Sequence, residues 1–194
     1  MHSNNKFGSE LISVIHNFEK LYFVQQAESL DESLSLFKNN VGKLWVQCGL
    51  LVGIKDQATL HSLEEAAALY QYLQSLQQLN IYLTESRCII PASCSNQSSL
   101  LELRSTRSIE TNSQDELFSP LINEINNRLR KSEADFDKKD QIALRHVIIL
   151  IRLAATVCEE ILQNKCQLLN SQVSLTPLRR LWIAWYTHLQ IKYF

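Results

Sequence analysis

The stretch QIALRHVIILIRLAATVCEEILQNKCQLL, Gln141 to Leu169, decides the fold class. Wound at 3.6 residues per turn, its apolar side chains cover most of the circumference. Its polar members fall mainly on one strip, Arg145, Arg152, Glu159 and Glu160, extended by Gln141 and Gln163. A helix apolar nearly all round is one that other elements enclose. The pattern therefore predicts an all-α domain arranged around a central apolar helix at about 138–169. The two arginines on that helix need an outlet. Either they snorkel from a narrow exposed strip, or they pair with carboxylates such as Glu159, two turns beyond Arg152.

Outward from this helix the chain keeps helical periodicity. Ser119-Pro120 offers a cap followed by proline at the first helical position, and Leu121, Ile122, Ile125 and Leu129 continue one face to about Lys131. Thr176-Pro177 repeats that start signal for a last helix, Leu178 to Lys192, with Leu178, Leu181, Trp182, Trp185 and Leu189 on one face. In the front half, helices are expected from Ser9 to about Ala27, from Ser29 or Asp31 to about Val52, and from about Gln57 to Thr84. The second should bury Leu34, Phe37, Val41, Leu44, Trp45, Cys48 and Val52, with Gly42, Gly49 and Gly53 serving close helix approach or termination. Strand signals are nearly absent. The expected architecture is a bundle of about six helices in two three-helix halves, residues 1–90 and 116–194. Between them lies a Ser/Asn/Thr-rich flexible linker at 91–115, broken by Pro91.

Composition agrees with this class. Four Gly and three Pro, with every Gly in the first 53 residues, leave few tight turns for a β-rich fold. A net charge of −1 supplies no general attraction to nucleic acid or anionic lipid. Five cysteines at irregular spacing and no secretory leader predict an intracellular protein, cytoplasmic or nuclear, with reduced thiols. Arg152 interrupts the longest apolar run, so no transmembrane helix is expected.

Trp45-Val46-Gln47-Cys48-Gly49-Leu50-Leu51-Val52 resembles the tetratricopeptide-repeat pattern Trp-x2-Leu-Gly-x2-Tyr, and Ala66 and Tyr70 keep that family's Ala-x3-aromatic spacing on the next helix. The resemblance implies an antiparallel helix pair. Cys48 replaces the family's Leu, the connection is longer than the repeat period allows, and no second copy follows. The segment is therefore read as two packed helices.

Chemistry-bearing residues do not assemble into a motif. The phosphate-binding Gly-x-x-x-x-Gly-Lys, the zinc-binding His-Glu-x-x-His and the nucleophile elbow Gly-x-Ser-x-Gly are all absent. His146 and Cys158, a nucleophile–base pair by type, stand about 18 Å apart along one helix. No catalytic residue, metal ligand or cofactor site is predicted. Arg128, Arg130, Lys131, Lys138 and Lys139, with Arg179 and Arg180, form a loose basic series, and Glu133, Asp135, Asp137 and Asp140 interleave with its first part. The last helix carries Trp182, Trp185 and Tyr186 beside Arg179 and Arg180. That make-up suits docking onto the core first, a partner-binding face second and a membrane surface third. The chain is accordingly read as a non-enzymatic helical protein that binds another protein as scaffold, adaptor or complex subunit. The alternative is a helical nucleic-acid-binding subunit using the basic series.

Overall fold

The computed structural model describes residues 12, 16, 27–79, 89–94, 111–169 and 173–193, with side chains from Gln114 onward in the stretch that begins at Thr111. The helix expected over 9–27 and most of the 91–115 linker lie outside these. No strand occurs among the described residues. Helices α1 (Leu30–Phe37) and α2 (Lys43–Leu51) are joined into one rod by a π-helical turn, Lys38–Gly42. The remaining helices are α3 (Gln57–Gln77), α4 (Thr111–Ala134), α5 (Arg145–Gln163) and α6 (Pro177–Tyr193). Five helical rods thus pack together around a single core cluster, to which residues on both sides of the 91–115 segment contribute.

Local chemistry sets the ends. Ser29 caps α1, its hydroxyl accepting from the Glu32 N–H, while the Glu32 carboxylate accepts from the Glu28 N–H. The α1–α2 rod stops where Gly53 takes φ +93°, and Ile54 N–H and Gly53 N–H bond back to the Gly49 and Leu50 carbonyls. This is the paired-bond helix stop that a left-handed residue permits. Asp56 then caps α3, accepting from both the N–H and the hydroxyl of Thr59 at 2.7 and 2.8 Å.

The π turn corrects the expected face of the first rod. One extra residue in a helix rotates everything downstream by about 100°. Leu34 and Phe37 face the core as predicted, but Gly42, the last residue of the turn, and Gly49 beyond it are buried, while Cys48 and Val52 are exposed. Gly49 is where the rod touches α3: a Cβ there would stand 2.8 Å from Leu63 Cδ2. At Gly42 a Cβ would meet the Glu64 side chain at 2.8 Å and its backbone oxygen at 3.2 Å. Nearby, Trp45 stacks on Tyr70 with ring centroids 5.9 Å apart. Close approach of a neighbouring helix, expected from the glycines, is their use here.

Among the described helices the most enclosed is α3, not the Gln141–Leu169 helix. It packs against α1, the π turn, α2, α4 and α5. Twelve of its residues are buried, among them Leu63, Ala66, Ala67, Ala68, Leu69, Tyr72 and Leu76. Small residues at Ser62, Ala66–Ala68 and Ser75 let neighbours close in from several sides, which a tally of large apolar residues does not register. Tyr72 is fully buried because its hydroxyl donates to the Ile89 carbonyl at 2.9 Å, and Phe37 meets its ring edge-on. Ile90 is buried beside it, and the Ala92 and Ser93 N–H groups bond to Ala27 and Glu28 carbonyls.

The helix expected over 138–169 is shorter at both ends. Residues 138–144 form successive turns, and α5 begins at Arg145. At the other end Lys165 and Cys166 take φ 52° and 49°, and their N–H groups return to the Leu162 and Ile161 carbonyls. That closes α5 in the same way as Gly53 closes α2, but without a glycine. Conversely, α4 starts at Thr111 rather than at Ser119-Pro120. Phe118 and Gln114 are fully buried there, and Gln114 Oε1 accepts from the Leu169 N–H. These contacts hold on the turns preceding Pro120, which itself lacks an N–H for the helical ladder.

Among the described residues three carboxyls sit below their ordinary value of 3.8. Asp31 is held down by the Arg128 guanidinium, Asp56 by its hydrogen bonds from Thr59, and Asp137 by Lys139. Each folded value lies below the unfolded one, so the stabilisation is complete above 3.8 and is lost as pH falls through the folded values. Urea denaturation over a pH series should therefore show stability declining below pH 3.8, with a smaller decline in Asp56→Asn. An unchanged pH profile in that variant would remove Asp56 from the account.

Candidate functional site

The α6 helix begins as its sequence announces. Pro177 occupies the first helical position, and the Thr176 hydroxyl accepts from the Arg179 N–H at 3.4 Å. Its docking side is the unexpected one. Ile183 and Ile191 pack against the core and Thr187 is buried, a line at intervals of four residues. The face expected to dock, Leu178, Leu181, Trp182 and Trp185, points to solvent instead. Leu178 is 79% exposed, Trp182 61% and Trp185 52%, with Tyr186 and Tyr193 also exposed.

The polar strip of α5 explains the inversion. Arg152 is only partly exposed and must be neutralised. Its Nε donates to Glu133 Oε1 of α4 at 2.7 Å, and its Nη1 donates to the Thr187 hydroxyl at 3.3 Å and to Gln190 Oε1 of α6. Turning Trp182 and Trp185 inward would carry Thr187 away from that guanidinium and leave it short of acceptors. Arg152 thus pairs with Glu133 across the helix interface rather than with Glu159 on its own helix. Glu159 accepts from Arg130 of α4, and Glu160 accepts from Arg179 of α6. Above this seam lies an open cleft of about 340 Å³ lined by Arg130, Glu133, Gln141, Arg152, Ile148 and Ile191. Both arginines in it are already matched by carboxylates, so it offers no uncompensated charge.

Trp182, Trp185 and Tyr186 are brought together on one outward surface, the two indoles 5.3 Å apart between centroids. Arg179 leans to Glu160, and Arg180 is exposed at the start of the helix. The other basic residues are spread over α4 and the turn after it. Arg128 is tied to Asp31 at 2.5 Å, Glu124 at 2.7 Å and Glu65 at 3.6 Å, and Lys139 to Asp137 at 3.0 Å. Lys131 and Lys138 are exposed.

Glu133, Thr187 and Gln190, which the sequence pattern does not single out, seat α6 on Arg152. Two of the thiols are quiet: Cys158 and Cys166 are buried, and desolvation pushes both up to about 12, with Asp115 adding to the rise at Cys166. His146 is exposed near the start of α5, well away from Cys158. Among the described residues no group of three His, Cys, Asp or Glu is placed to hold a metal ion, and no helix is long and apolar enough to cross a membrane. Comparison with protein-family models, curated proteins and solved structures finds no match.

Proposed function

We propose that the chain is a non-enzymatic helical interaction module, a scaffold, adaptor or complex subunit, whose docking surface is the outer face of α6. One observation carries this reading. Leu178, Leu181, Trp182, Trp185, Tyr186 and Tyr193 are exposed together on a helix whose opposite side is already held by Ile183, Thr187 and Ile191. Contiguous apolar surface of this kind is unfavourable in water and marks interaction sites, and Trp and Tyr dominate the energetics of such sites. The nucleic-acid alternative draws less support, because Arg128, Arg130 and Lys139 are each matched by a carboxylate.

The test is Trp182→Ala combined with Trp185→Ala. As exposed positions they should change folding stability by no more than about 0.5 kcal/mol each. Partner capture from cell lysate, identified by mass spectrometry, should weaken by about 2 kcal/mol or more. Loss of helicity in the double variant would instead make the indoles part of the core. Strong, salt-sensitive retention of the unaltered protein on a polyanion would move the reading to nucleic acid.

A further inference from the structure

We propose that Thr176 is phosphorylated by a protein kinase that selects proline directly after the acceptor and a basic side chain at the third position beyond it, and that the phosphate then refastens the start of α6 through Arg179. The chain there reads Leu175-Thr176-Pro177-Leu178-Arg179-Arg180. A kinase can select this pattern with an apolar pocket that would strand any other residue's N–H, and with a carboxylate that pairs the guanidinium. The modification is independent of what the outer face of α6 binds.

The fold presents the acceptor. Val173 and Leu175 are buried, and Gln77 Nε2 donates to the Val173 carbonyl at 2.6 Å, so the segment is pinned up to the residue before Thr176. From Thr176 to Trp182 every residue is exposed, and Ile183 is the first of α6 to pack on the core. Apart from its own backbone ladder, the opening turn is held by the long cap bond to the Thr176 hydroxyl and by the Arg179–Glu160 pair. A helix end with so few buried contacts opens locally at little cost, and so can take the extended form a kinase cleft accepts. The same kind of dipeptide recurs at Ser119-Pro120, where the structure withholds it. Ser119 lies inside α4 among buried Phe118, Leu121 and Ile122, and its carbonyl and hydroxyl both accept from Asn123. The third position beyond it is Ile122, not a base.

The reaction moves the γ-phosphoryl group of ATP to Thr176 Oγ1. A P–O bond forms there, the bond to the β-phosphate oxygen breaks, ADP leaves, and the hydroxyl proton passes to the kinase's base. The phosphate carries about −1.5 to −2 charge at pH 7 and stands three residues from Arg179. It draws that guanidinium from Glu160, a solvent-screened pair of small worth, and gives the helix a stronger cap.

The full chain is incubated with a cyclin-dependent kinase and Mg·ATP, and phosphate is located by mass spectrometry, both in that sample and in the chain isolated from its source cells. Phosphate at Thr176 and none at Ser119 is expected in both. Pro177→Ala should lower kcat/KM by about tenfold or more, the scale of a methylene lost from an apolar pocket, with circular dichroism unchanged. In the phosphorylated chain, amide exchange over 177–182 should slow by about fivefold, and Arg179→Gln should reduce that slowing. No transfer to the folded chain, whether or not a peptide of residues 173–184 is modified, would overturn the site. Undiminished turnover of Pro177→Ala, phosphate at Ser119 instead, or an unmodified Thr176 in the cellular protein would do the same. Unchanged exchange after complete modification would overturn the effect on α6.

Discussion

Phe118→Ala is expected to lower the unfolding free energy by about 3–5 kcal/mol, the range for emptying a buried aromatic site. Phe118 is fully buried in α4, two residues before Pro120. A domain of this kind has about 5–15 kcal/mol in hand, so the loss is a large fraction of the total. Its effect should also be local, because Phe118 helps hold the turns that precede the proline. Urea denaturation followed by circular dichroism gives the first quantity, and amide exchange over 111–119 the second. A loss below about 1 kcal/mol would mean that the site collapses around the missing ring. Leu178→Ala, at a position 79% exposed, is the matched control and should move stability by less than about 0.5 kcal/mol.

Arg152→Ala is expected to cost about 2 kcal/mol, between the small value of exposed ion pairs and the 3–5 kcal/mol of fully buried ones. Its side chain is 31% exposed and that of Glu133 23%, so solvent screens the pair only in part. The guanidinium also serves the Thr187 hydroxyl and Gln190, which fixes how α6 sits. The expected signature is thus regional: amide exchange should rise along 177–193 while α3 stays protected. A cycle with Glu133→Ala should show coupling between the two sites. Additive effects would mean that Arg152 acts through packing of its methylene stem, with the pair contributing little.

The all-helical class was legible in the sequence because periodicity and scarce turn residues point the same way. Some terminators were legible too, in Ser29, Gly53 and Thr176-Pro177, since each acts through chemistry local to its own turn. The rank of helices by burial was not. Gln141–Leu169 is the most apolar run, yet α3 is better enclosed, because Ala66–Ala68 and Ser62 admit neighbours where bulk would hold them off. The orientation of α6 was hidden for a different reason. Its own pattern favours burying Trp182 and Trp185, and only the demand of Arg152, on another helix, turns Thr187 inward. Long-range polar pairing of this sort leaves no periodic trace in either partner.

The π turn at Lys38–Gly42 makes chain length itself a variable. A regular α-helix would reach Gly49 in the same orientation with one residue fewer. The α1–α2 rod therefore has one place where a single residue can be lost while Leu34, Phe37 and Gly49 keep their common side. A deletion between Lys43 and Gly49 would rotate the helix by about 100° at its contact with Leu63, where a Cβ would already press on the leucine methyl at 2.8 Å.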